Sequence, residues 1–159
     1  MNTNTANIRR RSIAHHEAGH AVTGYFFGRS LGPMRIYEDA GRLRGEAKVF
    51  PGEHGELCIL AAGRVCAEAF DLPQYPTDYA IDYAKLDELL SGDVPLDAED
   101  DVLEARKQFV LRDVGQLVAR RDFRAAVAAL AERLLATGSI DSGDEVAAII
   151  SVHLEQAPS

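Results

Sequence analysis

The chain is 159 residues long, 47% hydrophobic and 26% charged. That is enough for one domain with a real core, and it is the ordinary balance of a soluble globular protein. The net charge of −8 argues against a nucleic-acid partner, because phosphate binding needs clustered Lys and Arg; Arg9-Arg10-Arg11 is the only basic run and is too short to reverse that.

Residues 1–11 are expected to be a flexible N-terminal segment. The polar start Met1-Asn2-Thr3-Asn4-Thr5 is followed by charges, so no signal peptide is expected. No stretch approaches the roughly 20 apolar residues of a membrane span. A soluble, cytoplasmic protein follows as the expectation.

The first predicted helix begins after Ser12 as N-cap and closes at Gly28 after Phe27, with Ile13, Val22, Tyr25 and Phe26 recurring at near-helical spacing. It carries His16-Glu17-Ala18-Gly19-His20. Positions i and i+4 share a helix face, so His16 and His20 can aim two imidazole nitrogens at one Zn²⁺. Glu17 beside them can reach a metal-activated water as general base, which is the chemistry of HExxH peptidases. Gly19 costs a helix roughly 1 kcal/mol against Ala, so something is expected to pack close to it.

Two short strands follow, Met34–Tyr37 and Gly45–Phe50, joined through a Gly-containing connection. The second strand is expected to offer an edge to an extended peptide. A helix over Gly55–Phe70 has Leu57, Leu60, Ala61, Val65 and Ala69 as its apolar face. It also carries both cysteines, Cys58 and Cys66, about 12 Å apart along the axis and too far for a disulfide. Both are expected to be reduced, small core residues, which fits a reducing compartment.

Residues 71–96 differ in character. Pro73, Pro76 and Pro95 break regularity, and Tyr75, Tyr79 and Tyr83 crowd together among aspartates. The stretch reads either as a lid-like insertion with one short helix over Asp78–Leu90, lying near the metal cleft, or as a packed surface excursion. Three further helices are predicted. One opens in Asp97-Ala98-Glu99-Asp100-Asp101, where acids suit the helix dipole. The others span Val118–Ala136 and Asp144–Glu155, with a capping-rich turn at 138–143 between them.

Two histidines do not complete a zinc site, because catalytic zinc generally takes a third protein ligand. His15 points about 100° away from His16, His54 lies in a loop, and His153 sits near the C-terminus. The acid cluster Asp97–Asp101 is then the best source of a carboxylate.

The segment Ser12-Ile13-Ala14-His15-His16-Glu17-Ala18-Gly19-His20-Ala21-Val22 resembles the zinc helix of the FtsH-type peptidase domain. Leu60-Ala61-Ala62-Gly63-Arg64-Val65-Cys66-Ala67-Glu68 is similar to that family's Gly-Gly-Arg helix. Asp100-Asp101-Val102-Leu103-Glu104-Ala105 is similar to its Asn-Asp-Leu-x-x-Ala segment, and Leu134-Leu135 with 140–146 is similar to its closing helical pair. The resemblance covers most of 12–150. It implies His16 and His20 as metal ligands, Glu17 as catalytic base and Asp101 as third ligand, with Asp100 one register away; Glu68 is given a structural role.

The implied fold is α+β and mainly helical: an HExxH helix, a small sheet or hairpin, then a helical bundle, forming one domain over 12–156. The implied function is zinc-dependent peptide hydrolysis by a stand-alone peptidase. The family's ATPase module and membrane spans have no counterpart in this chain. Its substrates would be peptides or unfolded proteins, with a separate ATPase or a homo-oligomer as partner. Two other readings stand beside it: a zinc-binding regulatory or adaptor protein of the same fold, and an anti-repressor-type protease that also uses HExxH.

Overall fold

The computed structural model describes residues 3–92 and 100–158. Helix α1 spans Thr3–Phe26, β1 Leu31–Asp39, β2 Arg42–Val49 and α2 Glu56–Ala69. They are followed by α3 Pro76–Ser91, α4 Asp100–Val118, α5 Arg121–Thr137, β3 Ser139–Ile140 and α6 Gly143–Ser151. The fold is α+β and mainly helical, with one three-stranded antiparallel sheet in the order β2-β1-β3. Among the described residues no helix is long and apolar enough to cross a membrane.

Helix α1 begins nine residues earlier than Ser12, at Thr3. The added turns are tied down: the Arg9 guanidinium pairs with the Asp78 carboxylate at the start of α3 and lies over the Tyr75 ring. Ser12 is therefore not a cap. It is fully buried mid-helix, and its hydroxyl donates to the Pro73 carbonyl. The helix ends as expected, with Gly28 in the left-handed region at φ 73°.

The β1–β2 connection is two residues, Ala40 and Gly41, both at positive φ (49° and 75°). That pair of dihedrals makes a type I′ hairpin, whose twist matches the flanking strands. Strand β3 was not expected. It is two residues long and pairs Ile140 with Met34 and Ser139 with Arg35 inside the predicted turn.

The core centres on α1, which is packed by α2 on one side and α5 on another. Residues Ala18, Ala21 and Val22 of α1, Ala61, Ala62 and Cys66 of α2, and Phe123, Val127, Leu130 and Leu134 of α5 are all essentially inaccessible. The buried stripe of α2 is thus mostly its small residues, with Ile59 the one large side chain among them. Leu57, Leu60, Val65 and Ala69, expected as the core face, are only partly buried and pack at its margin. The reason is the close approach of the two helices. A Cβ at Gly19 would lie 2.8 Å from both the Ala62 carbonyl oxygen and the Cys66 Cβ. Only small side chains fit between backbones that close, which explains Gly19 within a helix. Both cysteines are free, and burial pushes the Cys66 thiol up to about 12, leaving it inert.

Candidate metal centre

The middle of α1 presents His16 and His20 on one face, as the i, i+4 spacing requires. Their Nε2 atoms are 3.0 Å apart. The carboxylate that meets them is Asp82 on α3: its Oδ2 lies 3.3 Å from His16 Nε2 and 3.1 Å from His20 Nε2. Among the described residues this is the one group of three or more potential ligands that converges on a common point.

Asp101, expected as the third ligand, is not there. It lies exposed in the first turn of α4, as does Asp100, where both acids complement the helix dipole. Asp97 and Glu99 of the same cluster lie outside the described residues. Helix α4 anchors on the body through Val110, Val114 and Val118 at its far end, while α3 supplies the carboxylate that faces the histidines. The sequence signal for Asp82 was present but faint: it is the sole charge in Tyr79-Ala80-Ile81-Asp82-Tyr83-Ala84, on a helix correctly expected across that stretch.

The other expected bystanders behave as such. His15 is buried with its Nδ1 2.8 Å from the Arg11 carbonyl oxygen, and burial lowers its pKa. His54 and His153 are exposed. Glu68 pairs with Arg64 at 2.7 Å.

Hydrogen bonding fixes what the three converging atoms are. The Ser12 hydroxyl gives its proton to the Pro73 carbonyl, so Ser12 Oγ accepts from Gln74 Nε2, 2.7 Å away. That turns Gln74 Oε1 toward His16 Nδ1 at 2.7 Å, and His16 must donate there. His20 Nδ1 donates to the Ile59 carbonyl at 2.7 Å. Both Nδ1 protons are committed outward, so each Nε2 directs a lone pair inward. Two imidazole lone pairs and a carboxylate oxygen then face one another, and such a set requires a shared cation, either protons or a metal ion.

In the metal-free state it is protons. Burial works against charging His20, but Asp82 outweighs it and raises the His20 pKa to about 9. Burial likewise opposes ionising Asp82, yet the hydrogen bonds from His16 and His20 hold its carboxyl well below the usual range.

The spacing also fits a metal. Tetrahedral ligands at zinc's usual distances lie about 3.3 Å apart, against the 3.0–3.3 Å found. Gly63 leaves the room. A Cβ there would lie 2.4 Å from His16 Nε2 and 2.5 Å from His20 Nε2, close to where a bound ion belongs. The donor set, two imidazoles and a carboxylate, suits Zn²⁺. Outward partners such as Gln74 orient the ligands, so Gln74→Ala is expected to weaken zinc binding about 10- to 100-fold without unfolding the chain. Competition with a chelating dye checks this.

Glu17 lies against β2. Burial raises its pKa, His16 and His20 oppose that rise, and the Ala47 N–H donates to its carboxylate. The close approach depends on Gly45, where a Cβ would lie 2.5 Å from Glu17 Cγ. His16, Glu17, His20 and Asp82 all border one open groove of about 1270 Å³, with β2 on one side and 75–82 on the other. Of the expected lid, residues 74–82 therefore lie against the His16–His20 pair and supply Gln74 and Asp82 to it; 93–96 lie outside the described residues.

The ladder sets what β2 offers to the groove. Phe50 N–H donates to the Ser30 carbonyl, and Ile36, opposite Gly45, gives its own N–H to Gly138 on the β3 side. Alternation then turns the N–H and C=O of Leu43, Gly45 and Ala47 away from β1, toward the free edge.

No protein-family model matches this chain, and no curated protein matches it.

Proposed function

We propose that this protein is a zinc-dependent peptidase resembling the FtsH-type peptidase domain, with His16, His20 and Asp82 as metal ligands and Glu17 as general base. The observation that carries the reading is the convergence of three lone-pair atoms beside a buried glutamate on an HExxH helix. Zn²⁺ held by these residues supplies a Lewis acid that polarises a carbonyl and brings the pKa of water toward 7.

The chain's own residues do the rest. Glu17 takes a proton from the attacking water and passes it to the amide nitrogen as the C–N bond breaks, leaving a carboxylate and an amine. The Ala47 N–H keeps the Glu17 carboxylate aimed during both transfers. Leu43 and Gly45 offer an extended peptide backbone hydrogen bonds along the free edge of β2. Only an unfolded or flexible segment can lie along that edge, which makes such segments the substrates and a separate unfolding ATPase a natural partner.

The test combines metal content with cleavage. The purified chain is expected to carry near-stoichiometric zinc and to cut an unfolded model protein or a flexible fluorogenic peptide. A chelator should stop the cutting and added zinc should restore it. His16→Ala should lose both metal and activity. Full zinc retention in that variant would overturn the ligand assignment.

A further inference from the structure

Asp82 sits on the half of α3 that the hydrophobic core does not hold. The buried residues of α3 are Leu86 and Leu90, both beyond Asp82. Two contacts grip the helix around the ligand: the Arg9–Asp78 ion pair one turn before it, and a cation–aromatic stack. The Arg64 guanidinium, on α2 directly after Gly63, lies 4.2 Å from the Tyr79 ring centroid and 5.4 Å from that of Tyr83. The two rings are one helical turn apart and tilt against each other at 5.2 Å. Glu68 holds the other side of Arg64 at 2.7 Å. Lys107 of α4 adds a second cation, 5.0 Å from the Tyr83 centroid and 2.9 Å from Asp87.

We propose that Arg64 is a positioning residue for the metal centre, setting the rotation of α3 about its axis through Tyr79 and Tyr83 so that Asp82 is presented to His16 and His20. The inference rests on the metal-site reading above. The lever arm makes the demand clear. A carboxylate about 6 Å from a helix axis moves about 2 Å for a 20° rotation. Metal–ligand distances tolerate only about 0.2 Å. Two apolar anchors at one end of a helix fix its height better than its rotation, whereas a planar guanidinium against two rings fixes the rotation. Gly63 and Arg64 being adjacent, the residue that leaves room for the ion and the one that orients the third ligand move together on α2.

The experiment is a double-mutant cycle read as zinc affinity of the full chain, by competition with a chelating dye well below the melting temperature. Arg64→Ala is expected to weaken zinc binding about tenfold, and Arg64→Lys to recover only a small part of it, because an ammonium keeps the charge but not the planar face that the two rings hold. In an Asp82→Asn background, Arg64→Ala should change affinity less than about twofold, because the ligand it positions is already lost. Equal losses in both backgrounds, or no loss in either, would overturn the proposal. If Arg64→Ala does not fold, Tyr79→Leu carries the same cycle, since it removes the ring face and keeps apolar bulk. A parent chain that takes up no zinc would overturn the metal-site reading itself, and this inference with it; a parent that binds zinc normally beside an unaffected Arg64→Ala would overturn this inference alone.

Discussion

Glu17→Gln should leave zinc content and fold intact while lowering peptide cleavage by about 10²- to 10⁴-fold, the contribution expected of a positioned general base. The amide is nearly isosteric with the carboxylate, so it can still accept the Ala47 N–H and fit against Gly45. It cannot take the proton of the attacking water. The measurements are metal analysis, a thermal melt and the rate on a flexible peptide under the same conditions. Cleavage at the parental rate would remove Glu17 from the role of base. A parent chain that holds zinc yet cleaves no peptide, folded or unfolded, would instead favour the zinc-binding regulatory reading.

The second large effect separates two aspartates. Asp82→Ala is expected to weaken zinc binding by more than about 100-fold, beyond what loss of an outer hydrogen-bond partner costs. Asp101→Ala should leave zinc affinity unchanged, because Asp101 is exposed in the first turn of α4 and serves only the helix dipole there. The same titration on both variants decides between them. If Asp101→Ala strips the metal and Asp82→Ala keeps it, the third ligand read from the resemblance stands and the geometry around Asp82 has another purpose. The outcome also bears on 71–96. Shortening that stretch would remove Asp82 and Gln74, so loss of metal is expected, in place of the faster cleavage that a simple cover would give.

The sequence by itself determined the features whose geometry is local. The i, i+4 period of one helix brings His16 and His20 to a common face wherever that helix sits, and Glu17 comes with them. Gly41 marked a connection between two strands, since glycine takes a positive φ without strain, while the two-residue hairpin that also holds Ala40 at positive φ came from the strand pairing. Gly19 announced a close packing partner, since a glycine inside a helix is otherwise a loss, and α2 is that partner.

Tertiary structure decided everything that joins distant positions. Gln74 and Asp82 reach His16 from 58 and 66 residues along the chain, and no helical or strand period links such positions. The sequence pointed to the acids of 97–101 for the third place, and only the packing of α3 beside α1 and α2 brings Asp82 against the two histidines. The same holds for α2, whose large apolar residues suggested one buried face while the tight α1–α2 contact chose the small one. Strand β3 is two residues long, too short to have a period, and exists because β1 presents it with unpaired N–H and C=O groups. The helix period wrote the histidine pair into the sequence. The third carboxylate, the histidine tautomers and the open strand edge follow from which faces the folded chain presses together.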